Sequence, residues 1–149
     1  MTRFEFRLER LLQLRTSAER QQARMLSKSL QTEEHKRRAL AEVVARHEEA
    51  QRQLERHGKA LAGTLVNLVW TVDAFATQEQ VASEELRNAT RQVGVERERF
   101  RQAHQARRVL ERLRERRRVG WETAGMREEQ AMMDEVAALQ VRRSGAGIQ

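Results

Sequence analysis

The chain has 149 residues, no proline and no cysteine; 34% of it is charged and only 4% aromatic. Without cysteine there are no disulfides and no thiolate chemistry, and a mean hydropathy of −0.82 argues against a compact globular core. The net charge of +7 predicts attraction to acidic surfaces of protein, nucleic acid or lipid.

Abundant Ala, Leu, Arg, Glu and Gln at helical spacing reads as long helix, not disorder, because the apolar residues are spaced and not merely sparse. No proline forces a helix to break. The expected fold is all-α: a long antiparallel two-helix coiled-coil hairpin with the bend near the middle of the chain. Residues 1–143 form its single domain. The arms span about 3–68 and 78–142 around a tip at 69–77, and 144–149 form a flexible tail.

The first arm opens on Thr2-Arg3-Phe4-Glu5, the pattern of a capping box. The opening segment carries acidic residues and lacks an apolar run, so it does not read as a secretory signal. Phe4, Leu8, Leu11 and Leu12 share one helical face. Phe4 and Phe6, two residues apart, cannot both face one partner helix, so one of them should be exposed. From Leu26 a four-three spacing sets in: Leu26, Leu30, Glu33, Arg37, Leu40, Val44, His47, Gln51, Leu54 and Gly58. Glu33, Arg37, His47 and Gln51 are poor core residues, which predicts a thin two-stranded seam with wet sections. Gly58 and Gly63 each cost about 1 kcal/mol relative to alanine in a helix, and they make the approach to the tip the place for a bend or a short broken helix.

Leu61 to Thr77, LAGTLVNLVWTVDAFAT, has Asp73 as its sole ionised residue. It falls short of the roughly 20 apolar residues of a membrane span. Two readings stay open. Its apolar residues either continue the heptad seam, or Val69, Trp70, Val72 and Phe75 are partly exposed and dock on a partner.

Thr77-Gln78-Glu79-Gln80 is a possible cap for the return helix. Its seam reads Ala82, Leu86, Ala89, Val93, Glu96, Phe100, Ala103, Arg107, Leu110, Arg114, Arg117, Trp121 and Ala124. With the bend centred near Phe75, facing residues should have numbers adding to about 150, pairing Leu65 with Leu86, Leu40 with Leu110, Leu30 with Trp121 and Leu12 with Leu139. Arg107 to Arg118 is the most charged segment. It reads either as a site for nucleic acid or an acidic protein or as a solvated face paired with interleaved glutamates. The opening stretch and Arg127 to Ala137 should lie side by side, and either give an open end with exposed apolar and mixed-charge groups or simply close the coil.

No phosphate-binding loop, metal-ligand spacing or pocket-forming architecture is present in the pattern. The expectation is therefore no enzyme, no catalytic residue, no metal and no cofactor. His47 reads as a partly buried polar seam residue.

Two end patterns resemble the FliJ family of the bacterial flagellar export apparatus. They are Phe4-Glu5-Phe6-Arg7-Leu8-Glu9-Arg10-Leu11-Leu12, with Leu14-Arg15 beyond, and Arg127-Glu128-Glu129-Gln130 followed by Met133-Asp134-Glu135-Val136-Ala137. The family often has lysine then leucine where this chain has Met132 and Met133. The resemblance implies a stalk-like coil whose terminal end enters a hexameric export ATPase ring and promotes its assembly and ATP hydrolysis. The coil would also link the ring to the membrane export gate and handle export chaperones. It implies ring contact at Phe4, Phe6, Leu11, Arg127, Glu128, Asp134 and Glu135, and gate contact at Trp70 and Phe75. It further implies a cytoplasmic protein held at the inner face of the cell membrane at the flagellar base, a monomer or weakly self-associating, with no specific nucleic acid. The alternatives are the equivalent stalk of a virulence-type secretion system and a basic nucleic-acid-binding coil.

Overall fold

The computed structural model describes residues 3–59 and 61–145. They form an all-α antiparallel hairpin of two helices, α1 (Glu9–Arg56) and α2 (Ala62–Gly145), with the bend near residue 60. The chain divides into two compact units, one made of Met1–Ser17 and Gln105–Gln149, the other of Ala18–His104. Each consists of a length of the first arm packed antiparallel on a length of α2.

The bend lies earlier than expected. Residues 69–77 are continuous helix within α2, and among the described residues the break falls at 57–59 and 61, at Gly58 and just before Gly63. The His57 amide still donates to the Gln53 carbonyl (3.0 Å), and the Leu61 carbonyl accepts from Thr64 (2.9 Å) and Leu65 (3.2 Å). The physical reason is local. Glycine is the poorest helix former after proline, whereas Leu65 to Thr77 holds strong helical periodicity whose inner face has a surface to cover. Leu65, Leu68, Val72 and Phe75 are half-buried, as a continued seam requires. Thr77 is no cap: its hydroxyl donates to the Asp73 carbonyl inside α2 (3.1 Å).

The earlier bend resets the register. In the unit of Ala18–His104, Glu19 meets His104 (3.4 Å), Glu33 accepts from Thr90 (2.9 Å), Lys36 pairs with Glu85 (2.9 Å) and His47 bonds Glu79 (2.6 Å). The first two pairs have numbers adding to 123, not 150. The pairings expected from a bend near Phe75, of Leu65 with Leu86, Leu40 with Leu110, Leu30 with Trp121 and Leu12 with Leu139, fall with it.

The expected seam holds in part: on the first arm Leu26, Glu33, Leu40, Val44, His47 and Leu54 are half-buried, but Leu30, Arg37, Gln51 and Gly58 are exposed, and on α2 so are Arg114, Arg117, Trp121 and Ala124. Ala82, Leu86, Ala89, Phe100 and Ala103 are half-buried, and Val93 and Glu96 are buried. His47 is partly buried on the seam. The core is thin: among the described residues the buried apolar side chains are Phe6, Leu12, Ala50 and Val93. Glu96 is 1% exposed; its Oε1 accepts from Gln92 (2.8 Å) and Arg99 (3.1 Å), while Oε2 has no partner.

The unit of Met1–Ser17 and Gln105–Gln149 begins outside helix. Residues 3–8 are not helical, and the Phe6 carbonyl accepts the Glu9 amide at the start of α1 (3.0 Å). The capping box at Thr2 therefore does not start the helix, and Thr2 itself lies outside the described residues. Ser144 and Gly145, expected in the tail, close α2; the rest of the tail, 146–149, lies outside the described residues.

Candidate functional site

Two surfaces gather the residues singled out above. The first lies in the unit of Met1–Ser17 and Gln105–Gln149. Phe4 is half-buried with its ring centroid 6.0 Å from that of Trp121 at 51°, and Phe6 is buried. Neither is exposed. Residues two apart point to different sides only in a helix, and in the non-helical segment before Glu9 neither ring is left exposed. Glu9 pairs with Arg114 (3.3 Å), and Leu11 keeps 39% exposure on the outer side of α1.

Phe4 thus ends beside Trp121, and the closing stretch does not lie beside the opening one. From 126 to 145 every described residue of α2 is exposed. Arg127, Glu128, Asp134 and Glu135 all stand on this extension, and Asp134 accepts from Gln130 (3.1 Å). At 100° per residue, Leu110, Arg114 and Trp121 lie on the side of α2 that packs on the first arm. The same side continues as Met132, Val136 and Leu139, 60%, 54% and 52% exposed, with Met133 beside them at 67%. This is seam without a partner. Exposed apolar and mixed-charge groups are expected at this end from the sequence, but beside the opening segment; a stripe on α2 with no arm alongside is not. Its signal was the period itself, which runs on past the point where an arm bending at Gly58 can follow.

In the same unit the arginine run is mostly paired, as the bland reading requires. Arg107 and Arg108 both donate to Glu111, and Arg118 to Glu115 (2.8 Å) and Glu122 (2.9 Å). The Arg118 guanidinium holds the Glu115 carboxyl below its ordinary value. Among the described residues, Arg112, Arg116 and Arg117 have no acidic partner.

The second surface belongs to the unit of Ala18–His104, at the start of α2. Leu61, Val66, Val69 and Trp70 are 83%, 54%, 45% and 75% exposed. Phe75 instead lines a shallow groove with Ala45, Ala50 and Thr71. The structure therefore separates Trp70, which projects outward, from Phe75, which is half-buried against α1. Among the described residues there is no cluster of three or more His, Cys, Asp or Glu able to hold a metal ion, and no helix long and apolar enough to cross a membrane.

A family model described as the flagellar FliJ protein matches residues 4–146. Neither the curated proteins nor the solved structures contain a match.

Proposed function

The chain belongs to the FliJ family and so to the flagellar export apparatus, and on that premise we propose that it is the stalk of the export ATPase. The unpartnered end of α2 enters the hexameric ring, promotes its assembly and raises ATP hydrolysis. The bend points to the membrane export gate, and the coil also receives export chaperones. The chain performs no chemistry of its own on this reading, and works in the cytoplasm at the membrane.

The observation that carries the reading is the bare stripe of Met132, Val136 and Leu139 among Arg127, Glu128, Asp134 and Glu135. A single helix that exposes its seam is unstable as an endpoint, since apolar burial contributes about 25 cal/mol per Å². A pore lined by several subunits offers that burial from all sides. Phe4, Phe6 and Leu11 act differently from the closing residues: Phe4 and Phe6 brace the base of the extension through Trp121 and the start of α1, while Leu11 is open to contact. Of the gate residues, Trp70 is open to contact, and Phe75 supports the helix that carries it.

The test is ATP turnover by the flagellar export ATPase with and without the protein. Turnover should rise and saturate well below one chain per ATPase subunit. Met132→Ser with Val136→Ser, and separately Phe4→Ala with Asp134→Ala, should each lower the stimulation while the coil stays helical. Full stimulation by both double variants would remove the assignment of this end to the ring. The flagellar description of the matching family favours this apparatus over the virulence-type equivalent.

A further inference from the structure

We propose that the start of α2, from Leu61 to Trp70, docks on the surface of an anionic lipid bilayer. The inference rests on the reading that the bend points to the membrane, and it names the lipid itself as a partner of that patch.

A helix apolar on one stripe is finished when that stripe is covered. The first three turns of α2 are apolar on two sides. Leu65, Leu68 and Val72 face the coil and are half-buried; Val66, Val69 and Trp70 face away and are exposed. Thr64, Asn67 and Thr71 fill the remaining side, so the exposed stripe is a second apolar face that the coil does not cover. Tryptophan, here 75% exposed, is the residue that settles at the boundary between headgroups and acyl chains.

The charges around the patch choose the lipid. No ionised residue occurs from Leu61 to Val72, and the bend beside it carries Arg56 and Lys59 against Glu55. The first turn of α2 holds no acidic residue. Basic groups beside an apolar wedge are what an anionic headgroup layer attracts. The other exposed apolar stripe has the opposite setting: residues 122–145 carry Glu122, Glu128, Glu129, Asp134 and Glu135 against Arg127, Arg142 and Arg143, and an anionic bilayer would repel it.

The full chain carries two tryptophans, so Trp121→Phe leaves Trp70 as the sole reporter. This variant should sediment with phosphatidylcholine vesicles that contain phosphatidylglycerol, and its emission should shift to the blue. Neutral phosphatidylcholine vesicles should do neither. Arg56→Gln and Lys59→Gln should each weaken binding about fivefold. Val66→Ser with Val69→Ser, on exposed positions that leave the coil intact, should weaken it roughly tenfold or more.

Absence of binding to the anionic vesicles would overturn the proposal, as would an equal shift on neutral ones. Sedimentation without a Trp70 shift would overturn it too, because the arginine run would then hold the vesicle. A Trp70 shift with the soluble part of the gate protein but not with vesicles would assign the patch to protein and leave the stalk function standing. Loss of ATPase stimulation with vesicle binding intact would fail the stalk function alone.

Discussion

At the scale of the residue, the informative positions are those where a polar group occupies a seam. Glu96 is buried with one carboxylate oxygen unpartnered. A buried charge without full compensation is a cost, so Glu96→Leu should stabilise the coil by about 1 kcal/mol or more. Urea unfolding followed by circular dichroism checks this, and a lower midpoint would contradict it. The surface acids behave in the opposite way. Arg101 donates to Glu98 and Arg118 to Glu115, and each guanidinium holds its carboxyl below the ordinary carboxylate value. A depressed folded pKa means the contribution is complete above the unfolded value and is lost as pH falls through the folded one. The thermal midpoint should therefore drop on acidification below about pH 4. Glu98→Gln with Glu115→Gln should flatten that drop. Both residues are exposed, so the effect belongs to the small class of surface pairs.

At the scale of the element, two helices of unequal length decide what is covered. α1 has 48 residues and α2 has 84, so α2 must carry seam that α1 cannot reach. The glycines inside α2 are a reserve of stability. Gly94, Gly120 and Gly125 are helical with ordinary backbone angles, and a Cβ at each would meet nothing within 4 Å. Alanine at any of them should stabilise α2 by about 0.5–1 kcal/mol, read as a higher thermal midpoint. Gly63 has the same open surroundings at the start of α2. The helix faces were legible from sequence. The seam from Ala82 to Leu110 is buried or half-buried throughout, because side-chain period alone decides a face.

At the scale of the whole molecule, removal of residues 123–149 tests how the bare stretch relates to the rest. Those of its described residues that extend past Trp121 cover almost nothing, so the truncated chain should unfold at nearly the same urea midpoint. On the stalk reading its stimulation of the ATPase should disappear. A large loss of stability would mean that this stretch supports the coil. The sequence by itself determined the all-α class, the two antiparallel arms, the thin polar seam and, through its end patterns, the family. It also marked Gly58 and Gly63 as weak points. The register was decided by tertiary structure alone. A heptad pattern looks the same after any slide of seven residues, and the observed pairing differs from the expected one by about four heptads. Large apolar residues also meet in the expected register, so side-chain matching could not reject it. What separates them is where the backbone turns: Gly58 and its neighbours break the helix, while Leu65 to Phe75 gain more by packing along α1 than by rounding a tip. From that one choice follow the exposed start of α2 and its bare closing turns.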